Sequence, residues 1–242
     1  MLRSLREYYE EEGKSMKRYD TSSFWEARYH RKRRKNINTI LRSHGHIHIF
    51  LDVGCGTGEY LTDMSKFCDE IIGLDISFNY LKRVKNLRNK KPLLVQADAQ
   101  ALPFKDKCVD YILCSETIEH LPNPDVAIRE ISRVAREGFL ISTPNFGFLR
   151  ALMTKISKSF VRELDKNVGH INILSLHQLH EKILKTNCKI KLEKTIHVIP
   201  PIVGEKLHLP KWMSYFFDIF ELFIAKLFLK TGNIAIVECT FS

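Results

Sequence analysis

The sequence has no pair of cysteines in a C-x-x-C arrangement, although it contains six cysteines in 242 residues. Such pairs are typical of structural zinc sites and redox-active dithiols. The isolated cysteines therefore predict reduced thiols in a cytoplasmic protein, and neither a disulfide framework nor a zinc site. Residues 1–12 contain four glutamates, so the pattern of a cleaved secretory signal is also missing.

No long hydrophobic run is free of acidic residues. The longest, residues 212–229, has helical length but contains Asp218, Glu221 and Lys226. Two acids within such a segment argue against a helix that spans a bilayer. Three interpretations stay open for it: a core or cap helix, a helix lying on a membrane surface, and a dimer contact.

One glycine of the dinucleotide-binding pattern G-x-G-x-x-G is missing. Residues 49–53 are typical of a buried strand, and three glycines follow on alternate positions, but position 59 is a glutamate. A strand, a glycine turn and a helix still predict a nucleotide pocket, because glycines let a ligand approach bare backbone and the first helical amides point at it. The glycines are Gly54, Gly56 and Gly58.

Acidic residues follow the next two predicted strands. Asp75 ends the second strand, 19 residues after Gly56, close to the spacing of about 20 expected for an acid that binds ribose hydroxyls. Asp98 follows the third strand, where a carboxylate can accept from an exocyclic amine of adenine. The ends of three successive strands thus predict a site for one nucleoside.

Residues 49–145 resemble the class I S-adenosylmethionine-dependent methyltransferases, and in particular the small-molecule enzymes of quinone and lipid biosynthesis. The resemblance rests on acid-x-G-x-G-x-G at 52–58, on D-A-x-x-L-P-F at 98–104, and on a motif IV segment followed by E-H-L at 119–121. It implies S-adenosylmethionine as the cofactor. The residues it assigns to cofactor binding are Asp52, Gly54, Cys55, Gly56, Gly58, Asp75, Ile76, Asp98, Ala99, Ser115 and Glu116.

The fold implied is α/β: a Rossmann-like, doubly wound sheet of seven strands, mostly parallel with an antiparallel last strand, plus helical cap insertions. We expect one methyltransferase domain over residues 1–242. Its parts are an N-terminal helical cap (1–42), a cofactor-binding core (43–145), and a substrate-side half (146–242) with insertions at 146–170 and 200–231.

Histidines are the candidate catalytic residues. His120 could accept a proton from a hydroxyl nucleophile, or it could pack under the methionine end of the cofactor. His170 precedes a predicted helix and could reach the same site or stabilise a turn. His46 and His48 alternate with His44, but they lie at the amino end of the first strand, away from the ligand-binding edge, so no metal site is predicted.

Positive charge is concentrated in the flanks. The net charge of +10 divides into 12 basic against 6 acidic residues in 1–42, 12 against 14 in 43–145, and 14 against 8 in 146–242. This favours an anionic partner. The basic run 28–35 is interpreted as a solvated helix face, with a lid over the cofactor or a polyanion contact as alternatives.

The sequence as a whole predicts methyl transfer to a small, lipophilic acceptor such as a quinone or lipid. Peripheral membrane contact through 212–229 is compatible with this. An RNA methyltransferase is the first alternative, and a cofactor-binding protein without transfer activity is the second. The oligomeric state is left open.

Overall fold

The computed structural model describes residues 4–15, 24–84, 90–145, 155, 169–196, 208–227 and 232–241. Its centre is a seven-stranded sheet with strand order β3-β2-β1-β4-β5-β7-β6. Only β7 runs antiparallel to its neighbours, and this confirms the predicted Rossmann-like sheet. The strands are β1 (Ile47–Val53), β2 (Cys68–Asp75), β3 (Leu93–Gln96), β4 (Val109–Ser115), β5 (Ala135–Pro144), β6 (Lys189–Ile196) and β7 (Ile234–Thr240).

Helices cover the sheet on both faces. One 3₁₀ turn, Ile118–His120, follows β4. The described helices are α1 (Leu5–Ser15), α2 (Phe24–Arg42), α3 (Glu59–Met64), α4 (Phe78–Leu81), α5 (Pro124–Val134), α6 (Leu176–Leu184) and α7 (Met213–Leu227).

The central strands are buried on both faces. Consecutive residues of β1 and β4 divide between two cores: Leu51 and Ile112 belong to one, and Phe50 and Tyr111 to the other. Near-continuous hydrophobic strands are typical of parallel sheets covered by helices on each side. The strand order changes direction between β1 and β4, and such a switch point is where ligands bind in this class of sheet.

Two element boundaries differ from the sequence expectation. The helix after Pro124 was expected to continue to about Gly138, but it ends at Val134 and β5 begins at Ala135. Pairing of Ala135 with Val109 of β4 extends the strand at the expense of the helix. The helix capped by Ser77 is a single turn, and Phe78, expected on its apolar face, is exposed.

Parts of the expected cap lie outside the described residues. These are residues 16–23, nearly all of 146–168, and residues 197–207. Of the insertion at 200–231, the structure describes α7 and the turn that precedes it. The division of residues 1–242 into one domain with these parts remains a prediction.

The basic run of α2 is a solvated face only in part: Arg31 and Lys35 are exposed, but Arg28 and Arg33 are buried, which the sequence expectation did not foresee. Arg28 is 4 % exposed and donates two hydrogen bonds to the Glu221 carboxylate of α7, at 3.0 and 2.8 Å, and one to Asp218 at 2.5 Å. Lys32 pairs with the same two acids. The polar side of α7 therefore faces inward, against α2.

The opposite side of α7 is aromatic and exposed. No helix within the described ranges is both long and apolar enough to cross a membrane. The exposed side chains, each between 54 % and 69 % accessible, are Trp212, Tyr215, Phe216, Ile219, Phe220 and Phe223.

Because Arg28 and Glu221 are both buried, removing one partner leaves an uncompensated charge. We expect Glu221→Ala to lower the free energy of unfolding by about 3 kcal/mol, measured by urea denaturation. Asp218→Ala is the matched control, since Asp218 is more exposed and Arg28 keeps its bidentate partner. Equal, small losses in both variants would show that the buried pair does not hold α7 in place.

Candidate cofactor cleft and its acceptor end

A cleft lies at the carboxyl ends of β1, β2 and β4, at the switch point of the sheet. It contains about 650 Å³ of space, part of which is open to solvent. Of the residues assigned from the sequence, those that line it are Gly54, Gly56, Asp75, Ile76, Asp98, Ala99, Glu116 and His120.

The glycine turn after β1 forms the floor of the cleft. Gly54 has φ +74°, and a Cβ placed there would lie 2.2 Å from Thr117 Oγ1, so the backbone passes too close to Thr117 for any side chain. Gly56 has φ +52° and open space where its Cβ would be. A ligand can therefore lie directly against the backbone at Gly56.

Asp75 fixes the glycine turn to the end of β2. Its carboxylate accepts from Gly56 N at 2.9 Å and from Ser77 N at 2.9 Å. Asp75 is 8 % exposed, and burial raises its pKa. It is thus less open to solvent than expected from the sequence, and it combines a structural role with its position on the cleft wall.

Asp98 and Ala99 line the cleft next to β2, at the end of β3. The Asp98 carboxylate accepts from Gln100 N at 2.8 Å and from Gln100 Nε2 at 3.2 Å. Its donor at Nε2 is an amide N–H₂ group, and a carboxylate oxygen has more than one acceptor position. An adenine amine is a donor of the same kind.

Glu116 marks the point where the cleft approaches α2. It has φ +53°, which is uncommon for a residue with a side chain, and it accepts from Ser142 Oγ at 3.3 Å. Arg33 of α2 lies 3.2 Å from Glu116 and is 9 % exposed. The sequence did not single out Arg33, because a basic run gives no indication of which member turns inward.

His120 and His170 meet at the far end of the cleft, with ring centroids 4.9 Å apart. His120 is 9 % exposed, and its Nδ1 lies 2.9 Å from Gly169 O. Ile171 N and Asn172 N donate to the backbone oxygen of Glu119 at 3.0 and 2.9 Å. These backbone bonds hold the segment that contains His170 next to His120, which lies 50 positions earlier in the sequence.

Helix α1 covers the cleft from the side opposite the glycines. Leu5 and Tyr9 line the cleft, and the Tyr9 ring lies 5.6 Å from that of His120. Glu10 anchors the helix by accepting from Phe78 N at 2.9 Å and Asn79 N at 3.2 Å. Although desolvation opposes it, these hydrogen bonds lower the pKa of Glu10. Helix α1, for which the sequence predicted no separate role, thus contributes to the wall of the cleft.

Four assigned residues lie beneath or beside the cleft wall. Cys55 is buried under the turn, Gly58 begins α3, and Ser115 pairs with Ser142 Oγ at 2.9 Å. Asp52 is 2 % exposed, and its Oδ2 has no hydrogen-bond partner. Burial and the charge of Asp75 raise the pKa of Asp52 to about 8.

A comparison with protein families indicates which kind of domain contains this cleft. A family model described as "Methyltransferase domain" matches residues 51–142, which span the glycine turn and the ends of β2, β3 and β4. Residues 51–142 are thus similar to the members of this methyltransferase-domain family. The cofactor that the assignment implies is S-adenosylmethionine.

Curated relatives match less than half of this chain. The demethylmenaquinone methyltransferase of Staphylococcus carnosus is 39% identical over 95 residues, which are 36% of this chain and 39% of the relative. The Staphylococcus aureus enzyme of the same name is 35% identical over 98 residues, 38% and 40% of the two chains. The chain thus spans about two fifths of the length of the curated relatives it matches.

Solved structures share the fold over a longer stretch. Magnesium protoporphyrin IX methyltransferase (ChlM) of Synechocystis PCC 6803, with bound SAH, superposes with a TM-score of 0.69 at 12% identity, covering 98% of each chain. The YcgJ protein of Bacillus subtilis has a TM-score of 0.59 at 17% identity, covering 85% of this chain and 98% of YcgJ. At these identities the likeness concerns the fold alone.

The residues of the methyltransferase domain fit the implied cofactor. The open backbone at Gly56 leaves room for a ligand. Asp52 and Asp75 are buried acids beside that turn, and one oxygen of Asp52 has no hydrogen-bond partner. A ligand with an ammonium and a sulfonium group would reduce the cost of burying them.

We expect Asp75→Ala to weaken S-adenosylmethionine binding about 10- to 100-fold, because a hydrogen bond to a charged group contributes about 1.5–3 kcal/mol. Calorimetric titration of purified protein measures this. Since Asp75 also holds Gly56 and Ser77, a modest loss of stability will accompany the change, so the titration is done well below the unfolding temperature.

Asp69→Ala is the matched control, because Asp69 lies on the same strand but is exposed and outside the cleft. It should bind the cofactor like the wild type. Unchanged affinity in Asp75→Ala would refute the ribose-binding role.

Proposed function

We propose that this protein is an S-adenosylmethionine-dependent methyltransferase that acts on a small, lipophilic acceptor of the quinone or lipid type. The observation that carries the proposal is the convergence of the glycine turn, Asp75 and Asp98 on one cleft within the segment that matches the methyltransferase family. Three chemically different contacts for one nucleoside are thereby brought to a single edge of the sheet.

Within this proposal, each wall of the cleft binds a different part of the cofactor. Asp75, with Ile76 beside it, binds the ribose, and Asp98 with Ala99 binds the adenine. The glycine turn with Asp52 and Cys55 holds the methionine end, and Ser115 with Glu116 lines the region of the sulfonium. S-adenosylmethionine supplies an activated methyl group. The protein aligns the acceptor with it and excludes water, and such alignment lowers a barrier by roughly 7–11 kcal/mol.

His120 and His170 form the acceptor end of the site. Gly169 O can only accept a hydrogen bond, so the neutral His120 ring carries its proton on Nδ1 and its lone pair on Nε2. That nitrogen is suited to remove a proton from a hydroxyl or acidic carbon. Alternatively, both rings only shape the pocket, and an acceptor without an acidic proton needs no base.

The lipophilic character of the acceptor is supported by α7. Its exposed aromatic side is the surface that a helix presents when it lies on a membrane, and its acids are turned inward to Arg28. The names of the Staphylococcus relatives, demethylmenaquinone methyltransferases, agree with a quinone acceptor. A peripheral membrane contact through 212–229 follows from the same surface.

RNA as the acceptor is the weaker alternative. This alternative was based on the basic flanks. The basic residues of the run 28–35 that face the protein, however, already form ion pairs with acidic side chains. In addition to Arg28 and Lys32, Arg33 pairs with Glu116 and Arg34 pairs with Asp63. Fewer cations are thus available to phosphates than the sequence suggested.

Cell extracts incubated with the protein and isotopically labelled S-adenosylmethionine test the proposal. We expect the label in the lipid and quinone fraction, determined by mass spectrometry. Label confined to RNA would refute the acceptor class. No label in any fraction, while calorimetry shows cofactor binding, would identify a cofactor-binding protein without transfer activity.

A second test concerns the membrane contact. Phe216 and Phe220 are 60 % and 54 % exposed on α7, and burial of each side chain in lipid contributes about 1.5–3 kcal/mol. We expect the double substitution Phe216→Ser/Phe220→Ser to reduce binding to phosphatidylcholine–phosphatidylglycerol vesicles at least about tenfold, measured by sedimentation.

The control is Leu184→Ser, because Leu184 is 54 % exposed on α6, a different helix. It should sediment with vesicles like the wild type. If the wild type does not bind vesicles, or if both variants bind equally well, α7 is not a membrane contact.

A further inference from the structure

Glu119 is a fully buried carboxylate that is only half satisfied. Thr143 Oγ1 donates to its Oε2 at 3.1 Å, while Oε1 has no hydrogen-bond partner. Its side chain is 0 % exposed. A buried carboxylate oxygen without a partner is costly, and such groups in native structures usually have a function.

Two imidazoles lie next to this oxygen. His120 Nε2 is 3.8 Å from Glu119 Oε1, and it is the nitrogen that carries the lone pair, because Nδ1 faces the carbonyl of Gly169. The second ring is that of His170, whose centroid lies 4.9 Å from the centroid of the His120 ring. One ligand atom from each of the three residues lies within 4.8 Å of the others.

The three side chains are held in place by their surroundings. The carbonyl of Gly169 orients the His120 ring, and Thr143 orients the Glu119 carboxylate. Backbone hydrogen bonds from Ile171 N and Asn172 N to Glu119 O fix the chain on which His170 lies. Metal-ligating histidines and carboxylates are typically supported in this way.

We propose that Glu119, His120 and His170 bind a divalent transition-metal cation. One carboxylate and two imidazoles form a mixed oxygen and nitrogen set that suits Zn²⁺, Co²⁺, Fe²⁺ or Mn²⁺. Bond lengths of about 2.0–2.2 Å place tetrahedral ligand atoms about 3.4 Å apart. Side-chain rotations that contract the cluster by about 1 Å are therefore required on binding.

This inference differs from the sequence expectation of no metal, which considered only the histidines before and within β1. Two of these, His46 and His48, do meet an acid, Asp69. But all three are exposed, and both Asp69 oxygens accept from the imidazoles at 2.9 and 2.6 Å. No buried, unpartnered oxygen distinguishes that cluster, while His44 pairs with Glu238 instead.

The role of the ion rests on the proposed function, whereas its binding does not. The cluster adjoins the His120 wall of the cleft, at the acceptor end. An acceptor hydroxyl next to a dication loses its proton to water more readily, which points to an acceptor that is methylated on oxygen. His120 Nε2 would then hold the ion instead of acting as the base.

The test is a direct measurement of metal binding. Protein treated with chelator and dialysed is titrated with CoCl₂, followed by visible absorption and calorimetry. We expect one equivalent to bind with the absorption bands of a mixed nitrogen and oxygen site. Glu119→Gln and His170→Ala should each weaken binding about tenfold or more.

The double variant His46→Ala/His48→Ala is the matched control and should bind like the wild type. Loss of binding in this control, with binding retained in Glu119→Gln, would overturn the proposal, as would no binding by the wild type. His170→Ala keeps the test valid if Glu119→Gln does not fold, since His170 is only partly buried.

Cofactor binding and methyl transfer are measured on the same samples. A protein that binds Co²⁺ at Glu119 but transfers no methyl group refutes the proposed function and leaves the metal site intact. A protein that transfers methyl groups at full rate after chelation, and binds no Co²⁺, refutes the metal site alone.

Discussion

The close approach of the glycine turn to Thr117 is the constraint on which the rest of the site depends. Thr117 Oγ1 donates to Val53 O at 3.3 Å and to Ser115 O at 3.2 Å, so it joins the ends of β1 and β4. Gly54 N donates to Leu74 O at 2.7 Å, which joins the same turn to β2. Three strand ends are thereby locked together, and any side chain at position 54 would force them apart. The glycine turn is thereby held next to the segment that begins at Thr117 and contains Glu119 and His120.

Helix α2 is the second element that holds several parts together. Its basic residues connect to different partners: Arg28 to α7, Arg33 to Glu116 at the cleft, and Arg34 to Asp63 of α3. Each connection is an ion pair in which at least one partner is shielded from water, where screening by salt is weak. One side of this basic helix therefore connects α7, the cleft and α3, and the pairing of its Arg28 with the acids of α7 leaves the aromatic side of α7 outward.

The strand ends could be predicted from the sequence, and the side-chain pairings could not. Alternation of buried strands with glycine and acidic residues depends on local spacing, and Asp75 does end β2 while Asp98 follows β3, as predicted. The inward turn of Arg28 depends on acids 190 or more positions away, which no local pattern contains. The predicted boundary between the helix and β5 was wrong for the same reason. Ala135 belongs to the strand because it pairs with Val109 of β4, and this pairing is not visible in the local sequence. The unsatisfied oxygen of Glu119 could not be predicted either. It becomes apparent only in the folded protein, where Glu119 and His120 lie next to His170, which is 50 residues from His120 in the sequence.

The cleft differs from the rest of the molecule in the sign of its charged groups. The chain carries a net charge of +10, yet the buried groups beside the cleft are mainly acids. Burial raises the pKa of Asp52 to about 8 and, together with the charge of Glu116, raises that of Glu119 well above its usual range. Acids with raised pKa values are sites where a positive ligand stabilises the ionised form. A sulfonium at the glycine turn would meet such an acid in Asp52, so the buried charge beside the turn supports the proposed cofactor.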